Sequence, residues 1–309
     1  MDEVTTDTLF DRRESFPDTN ASKRFARLVG IDEIKDRLTK SLGILVNPKG
    51  VHAWAKKFHS SDILLLDFVE RRPPLIILGG DVGTGKTELA STVGDPVARQ
   101  EGIDITLFPL SLATRGSGRV GEMTKLVSAA FDETFKVASS LKGKHGKATG
   151  AVILLVDEAD ALVQSRENAQ MHHEDRAGVN AFIRGVDRLA EQKLPAAVIL
   201  CTNRLTAIDP AVQRRAAEVF VFERPNTEQR RFVLEAPLKE VGFTKKEIEE
   251  VVTLTGPANG KEYGFTYSDL TQRLLPAFVL NVYPGKSITF ESARTVLASV
   301  HATAPFQQL

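Results

Sequence analysis

Between an apolar run, Leu75-Ile76-Ile77-Leu78, and a helix-compatible run, Glu88-Leu89-Ala90-Ser91-Thr92-Val93, lies the segment Gly80-Asp81-Val82-Gly83-Thr84-Gly85-Lys86-Thr87. Nothing else in the chain restricts the fold as much. The pattern G-x-x-x-x-G-K-[ST] has mechanical meaning between a buried strand and the first turn of a helix. Glycines there let successive backbone N–H groups point inward around phosphate oxygens, and the helix N-terminus adds its positive dipole end. In that setting Lys86 reaches the β- and γ-phosphates, and the Thr87 hydroxyl ligates Mg²⁺. Asp81, Val82, Gly83, Thr84, Gly85, Lys86, Thr87 and the helix-opening Glu88 form the expected cradle. The chain is expected to bind a nucleoside triphosphate.

Beyond the loop, strand alternates with helix. Ile103–Phe108 alternates like a strand, and Met123, Val127, Ala130 and Phe131 make a helical stripe. Ala151–Val156 is a continuous apolar run, as expected of a strand covered on both faces. Val179, Phe182, Ile183, Val186 and Leu189 recur at helix spacing, and Ala196–Cys201 and Val219–Phe222 read as further strands. Such alternation predicts a parallel sheet with helices on both sides. Past Pro225 only helices are expected, two of them opened by the capping-box spacings Thr244/Glu247 and Thr266/Asp269. The expected domains are a flexible polar arm over 1–23, an α/β domain over 24–225 and a small helical lid over 226–309. Residues 47–72 have mixed aromatic, His and Lys content and receive no role.

Composition excludes some functions. Forty basic and forty acidic residues leave no net charge, which argues against a protein built to ride a nucleic-acid backbone. No run approaches the roughly 18 apolar residues that span a bilayer. The acidic, polar start, Met1–Thr6, is not expected to act as a signal or transit peptide, and the single Cys201 forms no intrachain disulfide. A cytoplasmic protein is expected. Leu141–Lys147 is a basic, glycine-containing loop without interleaved aromatics, read as a solvated connection. His172-His173-Glu174-Asp175 has metal-ligand residue types but no partner cluster, so an ordinary loop or a second pore loop is expected there.

A second signal separates hydrolysis from simple binding. The apolar run ending at Val156 is followed by Asp157-Glu158-Ala159-Asp160. A carboxylate at that strand tip suits the Mg²⁺ shell, which assigns Asp157, and Glu158 is placed to polarise the attacking water. The next strand ends in Cys201-Thr202-Asn203-Arg204, where Asn203 can bond that water or the γ-phosphate. Arg214 and Arg215 follow at the end of Ile208–Arg215. A guanidinium on the transferring phosphoryl group is worth ~10³–10⁵ in rate. An arginine so far along the chain is expected to serve a neighbouring subunit.

These motifs, in this order, resemble the AAA+ ATPases over roughly Phe25 to Val300. Val29-Gly30-Ile31-Asp32 resembles the segment that lies against adenine in that family. The resemblance implies ATP and Mg²⁺ as cofactors and an α/β core with a parallel five-stranded sheet. It also implies a C-terminal helical lid and a ring, usually a homohexamer, with ATP at subunit boundaries. Ring translocases of the family carry an aromatic-hydrophobic-glycine pore loop. Here Arg119 replaces the aromatic before Val120 and Gly121, so the grip on a threaded chain is expected to be weaker or more polar.

The compact Arg214–Pro225 segment is similar to that of the pachytene-checkpoint-type ATPases, which open HORMA-domain proteins by pulling on their N-terminal segment. Bacterial relatives accompany HORMA proteins and cGAS-like nucleotidyltransferases in anti-phage (CBASS) operons. By this match Arg215 is the first choice for the finger and Arg214 the second. The lid arginine of that family is replaced by Ser268, with Arg273 one turn on as a candidate substitute. The alternative readings are a generic protein unfoldase and a nucleic-acid-associated AAA+ helper.

Overall fold

The structure, a computed structural model, describes residues 9–59, 61, 63–110, 122–143, 148–161, 173–257 and 262–305. The chain divides into two compact units, one of residues 1–26, 33–79 and 87–220, the other of residues 27–32, 80–86 and 221–309.

The sheet is six-stranded, with β1 (Glu14–Phe16), β2 (Leu75–Gly80), β3 (Asp104–Pro109), β4 (Gly150–Val156), β5 (Ala196–Thr202) and β6 (Glu218–Phe222) in the order β1-β3-β4-β5-β2-β6. β3 runs parallel to β4, β4 to β5 and β5 to β2. Every residue of β4 and β5 is buried, which is why both read as unbroken apolar runs. The helices of this unit include α1 (Thr19–Arg27), α2 (Asp32–Val46), α3 (Pro48–His59), α4 (Leu65–Glu70), α5 (Lys86–Thr92), α6 (Gly94–Glu101), α7 (Glu122–Leu141), α8 (His173–Glu191) and the single turn α9 (Pro210–Gln213). The stripes of α7 and α8 meet the sheet in one core that includes Val127, Phe131, Val179, Phe182, Leu154 and Leu200.

Two expectations are corrected by the fold. The sheet is mixed and six-stranded rather than parallel and five-stranded. Its extra strand comes from the segment read as a flexible arm: Ser15 pairs with Thr106, antiparallel, and Leu9, Phe10 and Phe16 are buried. Three strand residues are too few to show a period, so the arm looked featureless. Residues 47–72 also turn out to be structured, as α3 and α4.

The second unit is larger than the expected lid, since it also gathers Arg27–Asp32 and the loop Gly80–Lys86. Its helices are α10 (Thr227–Glu240), α11 (Lys245–Leu254), a π-helical turn (Asp269–Leu274) running into α12 (Leu275–Leu280), and α13 (Phe290–Ser299). Reciprocal caps open three of them: Asn226 with Gln229, Thr244 with Glu247, and Thr289 with Ser292. Leu234, Val251, Val252, Phe265, Leu270 and Leu274 form its separate core.

Candidate active site

In the second unit the glycine-rich loop is closed on itself. Thr84 Oγ1 donates to the Asp81 carbonyl at 2.7 Å, and Asp81 Oδ1 accepts the Val82 N–H at 2.8 Å. The Lys86 ammonium, 6% exposed, donates to the carbonyls of Gly80 at 2.9 Å and Asp81 at 2.6 Å. Both acceptors are neutral carbonyls, and the anionic oxygens of a triphosphate would add ion–ion attraction to such bonds. Gly83 has φ +71°, and a Cβ there would stand 2.7 Å from Thr266 Oγ1 and 3.0 Å from Ser268 Cβ. The loop and the start of the lid therefore touch backbone to side chain, and Ser268 N–H donates to the Gly83 carbonyl at 3.0 Å.

The expected adenine-side segment lies in the same unit. Gly30 has φ +76°, its carbonyl accepts from Gln229 Nε2, and a Cβ would stand 2.4 Å from the Tyr267 hydroxyl. That hydroxyl is buried with no hydrogen-bond partner among the described residues. Burial, and then the charge of Asp32, push the Tyr267 phenol up to about 12. Val29 is half-buried. A close-fitting glycine, an unsatisfied buried donor and a lysine folded back onto its own loop all fit a bound nucleotide. Asp81–Lys86 would hold its phosphates, with Val29 and Gly30 flanking the base; bound, ATP supplies the phosphoryl group to be cleaved.

In the first unit, Thr87 and Glu88 stand in the first turn of α5. Arg24 holds both Glu88 oxygens at 2.8 Å. At the tip of β4, Asp157 Oδ1 accepts the Glu158 N–H at 2.9 Å. Glu158 is exposed and has φ +50°, a left-handed conformation that costs a side-chain-bearing residue ~1 kcal/mol. Strain of this kind persists where the surroundings over-determine it, and it clusters at active sites.

Next to it, the Thr202 hydroxyl donates to Asp160 Oδ1 and accepts the Arg204 N–H at 2.9 Å. Asn203 is thus fixed between two anchored neighbours. Sequence reasoning missed Thr202 and Asp160; their signal, a hydroxyl just before Asn203 and a carboxylate just after Glu158, is legible only once β4 and β5 are known to be adjacent.

Arg214 is exposed, whereas Arg215 is half-buried and committed. Asp187, on α8, takes Arg215 Nε at 2.7 Å and Nη2 at 3.0 Å, and the Ala211 carbonyl takes Nη1 at 3.0 Å. The Asp187 hydrogen bonds raise the Arg215 guanidinium above its ordinary value. Asp187 is a second residue that the sequence alone did not mark. Arg273, the candidate lid substitute, donates to Asp269 Oδ1 at 2.8 Å and Thr303 Oγ1 at 3.1 Å. Arg119, Val120, Gly121, Lys144–Lys147 and His172 lie outside the described residues, as do the side chains of 173–175. Among the described residues no His, Cys, Asp and Glu cluster could hold a metal ion, and no helix is long and apolar enough to cross a membrane.

Residues 76–224 match the ATPase family associated with various cellular activities (AAA). CD-NTase-associated protein 6 of Escherichia coli (strain MS 115-1) is 62% identical over 300 residues, covering 97% of this chain and 96% of that protein. A chain from the HORMA:CdnC:Trip13 complex of E. coli MS115-1 superposes with TM-score 0.90 at 62% identity, covering 97% of this chain and 98% of that one. This chain belongs to the Trip13-like AAA+ ATPases. Trip13 of Rhizobiales is a further structural relative, with TM-score 0.75 and 50% identity over 96% of this chain and all (100%) of that one. Membership of the AAA+ ATPases makes the chain an ATP hydrolase.

Proposed function

We propose that this ATPase works as a homohexameric ring in the bacterial cytoplasm, opening a HORMA-domain signalling protein at the expense of ATP in anti-phage defence. The observation that carries the reading is likeness over nearly the whole chain to a component of a HORMA:CdnC:Trip13 complex. The described geometry supports the chemistry. Lys86 and the loop N–H groups bind the triphosphate, while Thr87 and Asp157 hold Mg²⁺. Glu158 orients and deprotonates water, and Asn203 steadies it. Arg215, with Arg214 the second choice, completes the site of the neighbouring subunit. Arg119, Val120 and Gly121 grip the N-terminal segment of the HORMA protein. A CD-NTase would be an indirect partner, regulated through the HORMA protein it binds.

The test is the ATPase rate of the purified protein alone, with its HORMA protein and with DNA. Stimulation by the HORMA protein alone supports the remodeller. Stimulation by DNA alone overturns it in favour of a nucleic-acid helper, and no response to either overturns the HORMA assignment.

A further inference from the structure

The nucleotide loop and the lid of the second unit share one half-buried cation that no sequence motif singled out. Arg224, just past β6, donates from Nε to Asp81 Oδ2 at 2.6 Å and from Nη1 to the Gly264 carbonyl at 2.6 Å. Its guanidinium lies 4.8 Å from the centre of the Tyr263 ring. The pair is well shielded, with side-chain exposures of 13% for Arg224 and 19% for Asp81. Asp81 belongs to the phosphate-binding loop, and Tyr263 and Gly264 open the segment that continues through Thr266 and Ser268 to Asp269. One planar fork therefore clamps the loop to the lid, something a lysine's single ammonium on a flexible stem does poorly.

We propose that Arg224 is a positioning residue that reports nucleotide binding from the loop to the lid. Three observations carry this. First, the other arginine near the lid start is engaged elsewhere, since Arg273 bonds Asp269 and Thr303. Second, Arg224 grips the residue whose carbonyl the loop lysine occupies: Lys86 Nζ is 2.6 Å from the Asp81 carbonyl oxygen. When Lys86 turns to phosphate oxygens it gives that carbonyl up, and the loop around Asp81 must re-form its bonds. Third, Arg224 Nη2 is buried and has no partner among the described residues, so the guanidinium already on Asp81 holds a donor in reserve. Rearrangement at Asp81 is passed by the same rigid group to Gly264. Coupling of this kind is reciprocal, so fixing the lid segment also tightens the loop on its ligand.

The proposal rests on ATP hydrolysis and not on the HORMA reading, so its test needs no partner protein. The full chain is compared with Arg224→Met, Arg224→Lys, Asp81→Asn and the Arg224→Met/Asp81→Asn pair. KM and kcat for ATP are measured, together with hydrogen exchange of residues 263–269 with and without ADP. Thermal unfolding without nucleotide confirms that each variant is folded. Both Arg224 variants should raise KM about tenfold, within the usual span of coupling between sites, with a much smaller change in kcat. ADP should protect residues 263–269 in the unaltered chain and not in the Arg224 variants. The double variant should be no worse than Arg224→Met, because both changes cut one connection. Arg224→Lys and Asp81→Asn keep side-chain bulk, so they carry the test if Arg224→Met fails to fold. Additive effects of the two substitutions, a KM within twofold in both Arg224 variants, or ADP protection that survives Arg224→Lys would each overturn the proposal.

Discussion

Asp187 holds Arg215 by both of its oxygens, at 2.7 and 3.0 Å, within the same chain. The candidate finger therefore does not wave in solvent. It is presented as a pre-organised fork, backed by a carboxylate on α8 and by a carbonyl of its own turn. An arginine held this way loses less side-chain freedom when it meets a phosphate than one that must first be ordered.

Arg215→Ala is expected to lower kcat by on the order of 10³-fold or more while ATP binding stays within a few-fold. Asp187→Asn should give an intermediate loss, on the order of tenfold to a hundredfold, by letting the fork wander. Steady-state ATPase rates with fluorescent-nucleotide titration check both. Full activity in Asp187→Asn would remove the presenting role.

Glu158 stands in a left-handed conformation that a glycine adopts freely. Glu158→Gly should therefore raise the stability of the isolated protein by ~1 kcal/mol while abolishing turnover, a trade of the kind found at strained active sites. Glu158→Gln should also abolish turnover but leave stability nearly unchanged. Thermal unfolding set beside ATPase assays decides it; a glycine variant that is less stable would show the strain to be absent. Mixing Glu158→Gln with Arg215→Ala protein should restore part of the activity if the finger serves a neighbouring subunit, and no rescue would count against a finger in trans.

Asp269 is the hub of the lid. Only 1% exposed, it accepts from Thr266 N–H at 3.0 Å, Thr303 N–H at 3.0 Å, Thr303 Oγ1 at 2.6 Å and Arg273 at 2.8 Å. Burial alone would raise its carboxyl, but these donors outweigh it and hold the group below the ordinary carboxylate value. A depressed value means the stabilisation is complete above the unfolded value of about 3.9 and is lost as pH falls through the folded one. Asp269→Asn should cost about 3 kcal/mol at pH 7, because it strips the charge from a buried, fully bonded group. Thermal unfolding across a pH series should show the gap between the two proteins narrowing only below about pH 4. A gap that stays constant down to about pH 2.5 would refute the assignment.

Gly83→Ala tests the contact between loop and lid. The new methyl would meet Thr266 Oγ1 at 2.7 Å in a backbone conformation unfavourable to alanine, so a loss of about 1–3 kcal/mol in nucleotide affinity is expected. Pairing it with Thr266→Ser, which keeps the hydroxyl and removes a methyl, should recover little. Calorimetric titration with ADP measures it, and unchanged affinity would mean the loop shifts without cost.

The sequence carried the strand–loop–helix around Lys86 and the acids after Val156, because each is a local pattern tied to a buried strand. It carried β4 and β5 for the same reason: a strand covered on both faces writes itself as an apolar run. Other elements escaped for want of local signal. β1 is three residues long, and its anchors Leu9 and Phe10 are two apolar residues in a polar stretch. Asp187, Thr202 and Arg224 matter because of groups 28, 42 and 143 positions away in sequence, at Arg215, Asp160 and Asp81. No periodicity registers such pairs. The Arg24 partner of Glu88, 64 positions earlier, is another pairing of this kind.

The short strand β1 has a practical corollary for anyone shortening this protein. It is the edge of the sheet and covers β3, whose outer N–H and C=O groups would otherwise face solvent. A fragment beginning at residue 24 would uncover that edge and leave the pockets of Leu9, Phe10 and Phe16 vacant. Uncovered edges recruit strands from other molecules. The dispensable-looking leader is thus a built-in guard against self-adhesion, and affinity tags belong ahead of it rather than in its place.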